Sequence, residues 1–138
     1  MTETIEKKLK GLLIDPETES IAEVEIRKGS KCLDDLYKAI GCDTVDCIRA
    51  GVVLSGGKRK EDDIWVDDEA LLGEPKHFWI LPGYAHPIAG RGVILSADDE
   101  GDCVSHTLTP LEVEELKRVI QFYHLADEDE TDTETADK

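Results

Sequence analysis

The chain has 138 residues with a formal net charge of −16 at pH 7, and 35% of its residues are charged. This length supports one domain with a modest core. The excess of acids argues against direct nucleic-acid binding, which needs clustered lysine and arginine. The first residues lack the apolar region of a signal peptide, and no stretch approaches the ~20 apolar residues of a membrane-spanning helix. We therefore expect a soluble, cytoplasmic protein without membrane contact.

The negative charge is concentrated at the C-terminal end. Residues 126–138 hold seven acids and one lysine, which gives this stretch −6 and leaves −10 for residues 1–125. Because the stretch has no large apolar residue, it cannot bury enough surface to offset the entropy lost on ordering. The sequence predicts a single domain over residues 1–125 and a disordered acidic tail over residues 126–138.

The first part of the chain predicts a β-hairpin. An apolar run over residues 9–15 ends at an Asp-Pro pair, which is a turn signal. After the turn, Ala22, Val24 and Ile26 alternate with charged residues, a pattern typical of a strand with one buried face.

A helix is predicted next, with Ser30 as its N-cap and Gly41 as its left-handed terminator. The helical spacing of its apolar residues predicts one stripe that packs on a sheet. The stripe consists of Leu33, Leu36, Tyr37 and Ile40.

The clearest element is a C-terminal helix. Thr109 at the N-cap, Pro110 at the first helical position and Glu112 three residues after the cap form a capping box. The apolar face extends to Tyr123, and His124 ends the helix. This face consists of Val113, Leu116, Ile120 and Tyr123.

Short apolar runs between turn signals predict the remaining strands. They lie at residues 45–47, 52–54, 63–66, 77–81, 92–96 and 102–108. The fold class is therefore α+β, a small domain with a mostly antiparallel or mixed sheet of about six or seven short strands and two packed helices.

The loop over residues 82–92 is the candidate ligand-binding segment. It is long for a simple connection, and binding residues concentrate on such loops. Arg91 lies between Gly90 and Gly92, and its guanidinium suits a carboxylate or phosphate, with Tyr84 and His86 as neighbours. The alternative is a bend between two strands whose arginine offsets nearby acids such as Asp98 or Asp102.

Acids and histidines offer a second kind of site. Asp67, Asp68 or Glu69 would have to converge with His86 or His106 in one cleft to support metal-assisted hydrolysis. Solvated acids in turns, here and at residues 98–102, are the simpler interpretation. No Ser-His-acid order marks a triad.

The four cysteines, Cys32, Cys42, Cys47 and Cys103, form no CxxC pair. In a chain that is not secreted we expect reduced thiols, and the Cys and His spacings match no zinc ligand set. We predict no bound metal and no cofactor.

Four stretches of the sequence are distinctive when taken together: "LLIDPETESIAEVEI", "LDDLYKAIGCDTVDCI", "DDIWVDDEALL" and "IAGRGVILSADDEGD". Together they resemble the domain of unknown function 3846 family, found in phages, plasmids and bacterial genomes. The resemblance covers residues 10–105 and leaves the capped helix and the acidic tail outside. It implies a mobile-element accessory protein and carries over no catalytic residue.

We expect a non-enzymatic phage or mobile-element protein that antagonises host defence in the cytoplasm of the host cell. It would bind a host protein or sequester a small nucleotide signal in a pocket built from the 82–92 loop. The alternatives are a small metal-assisted phosphodiesterase or nucleotide hydrolase, and an acidic inhibitor that imitates DNA. The sequence predicts no particular oligomeric state.

Overall fold

A computed structural model of the protein describes residues 8–49, 51–54, 57–73, 75–84 and 86–125. The predicted acidic tail lies outside these residues. Two α-helices are present in the described part of the chain, α1 (Cys32–Ile40) and α2 (Pro110–Val119). The strands there are β1 (Lys8–Asp15), β2 (Ser20–Arg27), β3 (Val45–Ile48), β4 (Val52–Val53), β5 (Arg59–Lys60), β6 (Asp63–Asp67), β7 (His77–Ile80), β8 (Ile88–Ala89), β9 (Gly92–Ala97), β10 (Cys103–Val104) and β11 (Gln121–His124).

The strands form one main sheet and two smaller ones, and every pairing is antiparallel. The main sheet has the order β2-β1-β9-β6-β3, with β10 paired to the end of β9. The predicted hairpin is confirmed, because β1 and β2 pair from Lys8↔Arg27 to Asp15↔Ser20. A second sheet has the order β11-β7-β8, and β4 pairs with β5. The predicted α+β class is confirmed.

The main sheet is buried on both faces. Successive side chains of a strand point to opposite sides, so the same strands contribute to two separate cores. One face packs against the second sheet and α2, and its core includes Leu12, Ile64, Ile94, Trp79 and Leu116. The other face packs against α1, and its core consists of Leu9, Ile26, Leu36, Ile40, Val93 and Leu95.

The orientation of α1 is fixed by an ion pair with β2. Asp35 accepts hydrogen bonds from the Arg27 backbone N–H at 2.8 Å and from its Nη2 at 2.7 Å. The Arg27 guanidinium lowers the pKa of Asp35 to about 2. Residues two apart lie on opposite sides of a helix, so this contact turns Leu33 outward, and Leu33 is 44% exposed. Its predicted burial was therefore wrong.

The prediction for α1 is confirmed at its C-terminal end and wrong at its N-terminal end. Gly41 ends the helix with a left-handed φ of 83°, as expected. Ser30 is not the N-cap, since it lies in a short 3-10 turn, Gly29–Lys31, and the helix begins after Lys31 without a side-chain hydrogen bond.

The capping box of α2 is confirmed, and its glutamate has a further role. Thr109 Oγ1 accepts from Glu112 N at 3.1 Å, and Glu112 Oε1 accepts from Thr109 N at 3.0 Å. The buried Glu112 carboxylate also forms ion pairs with Lys58 and Lys60. The Lys58 ammonium is the main cause that lowers the pKa of Glu112 to about 2.

The predicted end of the second helix was wrong. The helix stops at Val119, and the next residues form β11, which pairs with β7. Phe122 and Tyr123 are aromatic residues that favour strands, and Tyr123 stacks on Phe78 with ring centroids 5.4 Å apart. Tertiary pairing thus overrides an apolar spacing that would also fit a helix.

Replacing Leu116 tests the docking of α2. Leu116 is 0% exposed in the core, so Leu116→Ala is expected to lower the free energy of unfolding by ~2–5 kcal/mol. Leu111→Ala on the same helix is the control, because Leu111 is 69% exposed. Urea unfolding measures both, and equal small losses would contradict this packing.

The depressed pKa of Glu112 predicts a dependence of stability on pH. A carboxyl group with a pKa lowered by folding stabilises the native state above its ordinary pKa of 4.5, and this stabilisation is lost as the pH falls toward about 2. Glu112→Gln keeps an acceptor for the capping box and removes the charge. Urea unfolding between these pH values should show wild type and variant converging as the pH falls, and a constant difference would contradict the assignment.

Candidate functional site

A cavity of about 360 Å³ opens where the β1–β2 turn, the end of α1 and the segment before β9 meet. Its size falls in the usual range for sites that bind small molecules, ~300–1,000 Å³. The lining contains acidic side chains, basic side chains, glycines and prolines. The polar lining residues are Asp15, Glu17, Asp67, Lys76, His77 and Arg91.

Arg91 is held at this cavity by Asp15. Its Nε lies 3.4 Å from Asp15 Oδ2, and the two side chains are 40% and 13% exposed. The guanidinium lies beside the end of α1. Its Nη1 is 3.7 Å from the position that a Cβ atom on residue 41, which is a glycine, would occupy. Since the ion pair uses Nε, the terminal amino groups carry the donors available to a ligand. Asp15, rather than Asp98 or Asp102, is the acidic partner of Arg91.

A hydrogen bond from the Trp79 side chain holds the backbone next to Arg91. The Trp79 indole Nε1 donates to the Gly90 carbonyl at 2.9 Å, and Gly90 N donates to the His77 carbonyl at 3.2 Å. Gly90 lines the cavity with a φ of +77°. Gly92 is buried at the start of β9, where a Cβ would stand 2.7 Å from Cζ2 of Trp79.

Tyr84, another of the predicted loop residues, lies at a second cavity. Tyr84 lines this cavity of about 310 Å³ together with Asp68 and Glu69. The His86 ring contacts the Tyr84 ring edge-on, with centroids 5.8 Å apart. Asp67 and Ala70 line both cavities. The structure therefore brings Arg91 and Gly90 together at the first cavity and places Tyr84 at the second, with His86 against the Tyr84 ring.

The acids and histidines proposed for metal-assisted hydrolysis do not form a ligand set. Within the described residues, the group of three such side chains with ligand atoms inside 4.8 Å is Asp98, Glu100 and Asp102, all exposed. Asp98 Oδ1 accepts from the backbone N–H groups of Glu100 and Asp102, both at 2.9 Å. These carboxylates build a turn, as the simpler interpretation expected.

A histidine pair that was not predicted from the sequence includes His77, which lines the first cavity. His77 Nδ1 lies 2.6 Å from His124 Nδ1, and His124 Nε2 lies 2.7 Å from Glu19 Oε2. Sequence spacing gives no sign of this pair, because the histidines are 47 positions apart and His124 was assigned to a helix. Recognising residues 121–124 as a strand would have been the way to predict that the two histidines meet.

The four cysteines form no disulfide in the structure, and none of them lines either cavity. Cys32 and Cys103 are hydrogen-bonded to each other, which raises the pKa of Cys32 and lowers that of Cys103 to about 7.

Among the residues that the structure describes, no helix is long and apolar enough to cross a membrane.

Two neighbouring substitutions separate the cavity from its support. Arg91→Ala should lower the free energy of unfolding by less than ~1 kcal/mol, because Arg91 is 40% exposed and ion pairs close to solvent contribute little. Gly92→Ala should lower it by ~1–3 kcal/mol, because the added methyl group collides with a buried indole. Urea unfolding of both variants checks this order, and the reverse order would mean that Arg91 is a structural residue.

Comparison with known proteins identifies a family for the chain. No curated protein and no solved structure matches the chain. The family model described as a domain of unknown function (DUF3846) matches residues 9–121. The match includes α2, so the sequence-based limit of residues 10–105, which left the capped helix outside, was too short. The chain belongs to the domain of unknown function 3846 family.

Proposed function

We propose that this protein is a non-enzymatic binding protein and that the 360 Å³ cavity holds a small nucleotide. The observation that carries the proposal is the placement of Arg91, which Asp15 holds through Nε at 3.4 Å while the guanidinium borders the cavity. A phosphate accepts paired hydrogen bonds from the terminal amino groups of such a fork.

The other lining residues suit the rest of a nucleotide. Lys76 lines the same cavity and supplies a second cation for the phosphate. Asp67 and Glu17 are acceptors for ribose hydroxyls or a base amino group. Mixed charge around a site of this size favours a ligand with both an anionic group and hydrogen-bond donors.

The lining also supports binding rather than covalent catalysis. The described residues around the cavity include no serine, threonine, cysteine or tyrosine, so they offer no hydroxyl or thiol nucleophile. The acids and histidines proposed for hydrolysis lie at different cavities or apart from one another.

The resemblance implies a mobile-element origin, and this origin suggests a biological role for nucleotide binding. We propose that the protein acts in the cytoplasm of a host cell and removes a nucleotide signal that a defence system requires. A second candidate is supported by the net charge of −16: a strongly acidic protein is attracted to a host protein with a basic surface, including one that binds DNA.

Calorimetric titration of the full chain with mono-, di- and cyclic dinucleotides tests the first proposal. At least one should bind with a Kd below ~1 mM, and Arg91→Ala should weaken it at least ~10-fold through the loss of charge-assisted hydrogen bonds.

Arg118→Ala is the matched control, because it removes the same charge from an exposed position on α2. Equal loss in the two variants would indicate a general charge effect and contradict the site. Failure of the whole panel would contradict nucleotide binding and leave the host-protein candidate.

A further inference from the structure

A third cavity lies between the β1–β2 hairpin, the segment before α2 and α2 itself. Its volume is about 420 Å³, which falls in the usual range for sites that bind small molecules. Among the residues that the structure describes, it shares no lining residue with the 360 Å³ cavity. Its wall is largely apolar and includes Leu12, Ile21, Leu108 and Val113. The cavity is therefore a separate candidate for a ligand.

His106 lines this cavity and is held there in one tautomer. Its side chain is 5% exposed, and its backbone N–H donates to the Lys10 carbonyl at 2.9 Å. The ring Nδ1 accepts a hydrogen bond from Leu108 N at 3.2 Å. Because an accepting ring nitrogen carries no proton, the neutral ring has its proton on Nε2. His106 thus presents Nε2 as an N–H donor.

This donor has no acceptor within the part of the chain that the structure describes. Nε2 is buried there without a hydrogen-bond partner. Glu23, which also lines the cavity, has its Oε2 atom 3.7 Å from Nε2, and this distance is too long for a hydrogen bond. Most buried polar groups in proteins are hydrogen-bonded. The His106 N–H is therefore available to an acceptor from outside the chain.

The charges at the cavity favour a neutral ligand. The Glu23 carboxylate lies beside the donor and repels an anionic acceptor. Lys117 and Glu114, which also line the cavity, form an ion pair at 3.3 Å and offset each other. A carboxylate accepts hydrogen bonds and does not donate them. A fitting ligand thus offers an acceptor to His106 and, next to it, a donor to Glu23.

We propose that this cavity binds a small apolar molecule that carries a primary amide or a lactam. Its carbonyl oxygen accepts from His106 Nε2, its N–H donates to Glu23, and its apolar part contacts Leu12 and Leu108. In such a group the oxygen and the N–H lie on one side, with O and N ~2.3 Å apart. Hydrogen bonds of ~2.9 Å from these two atoms therefore reach partners that are 3.7 Å apart. The Glu23 side chain is 60% exposed, so it can turn to admit the ligand to the buried nitrogen.

This binding is separate from the proposed nucleotide site, because the two cavities have different lining residues. Loss of either activity in a variant of one cavity should leave the other activity unchanged.

The test is a titration of the full chain with benzamide, benzoate and N,N-dimethylbenzamide, followed by ¹H–¹⁵N spectra. Benzoate replaces the donor by a negative charge, and the dimethyl compound keeps the carbonyl without the N–H. Benzamide should bind at least ~5-fold more tightly than either, through the extra hydrogen bond, and should shift the His106 Nε2–H signal. Equal affinity for the three compounds would overturn the proposal. So would an unchanged His106 signal, or absence of binding by both benzamide and the lactam caprolactam.

Two substitutions of His106 separate its two nitrogens. His106→Asn keeps an oxygen near the position of Nδ1 for Leu108 N and removes the Nε2 donor, so it should weaken benzamide binding at least ~5-fold. His106→Gln keeps a donor near the position of Nε2 and should bind benzamide more tightly than His106→Asn does. The reverse order would contradict the role of Nε2.

Glu23→Gln tests the choice between ligands at an exposed residue, where the fold is not at risk. It removes the charge and keeps an acceptor, so benzamide affinity should stay near that of wild type while benzoate binds at least ~3-fold more tightly. Glu25→Gln is the matched control, because Glu25 is on the same strand, 72% exposed and not among the lining residues. An equal gain for benzoate in both variants, or no gain in Glu23→Gln, would overturn the proposal.

Discussion

The contact between Trp79 and Gly92 sets the position of the candidate site. The indole is fully buried, and a Cβ on residue 92 would stand 2.7 Å from its Cζ2. Glycine therefore lets the second sheet approach the main sheet at β9. In this position the indole donates to the Gly90 carbonyl at 2.9 Å. The residue between these two glycines is Arg91, so the core fixes the backbone from which the guanidinium extends.

The β1–β2 turn then fixes the side chain. Asp15 Oδ1 accepts from Glu17 N at 3.0 Å, which holds the turn, and its Oδ2 lies 3.4 Å from Arg91 Nε. Four positions later, Glu19 of the same turn contacts His124. One short segment thereby contacts both Arg91, which directly precedes β9, and His124 of the second sheet.

Much of the fold could be predicted because its signals are local. The capping box needs only Thr109 and Glu112, and the end of α1 needs only Gly41, so the sequence contains the whole arrangement. The hairpin follows from alternation around a turn. Leu33 could not be assigned correctly, because its exposure depends on Arg27 in another element.

The site is less predictable for the same reason. Arg91 and its glycine neighbours stood out in the sequence, but the acid that pairs with it comes from a distant strand rather than from the following turn. The histidine pair requires β7 to meet β11, and an apolar spacing compatible with a helix concealed that strand. Pairings between distant segments create these contacts, and no local pattern encodes them.

The charges around the cavity limit the ligands that it can accept. Asp15, Glu17 and Asp67 outnumber Lys76 and Arg91 there, so the lining alone offers a phosphate limited electrostatic attraction. Hydrogen-bond donors on a ligand that reach these acids would offset the repulsion. The mixed lining is therefore consistent with a site that discriminates against simple anions and accepts a nucleotide.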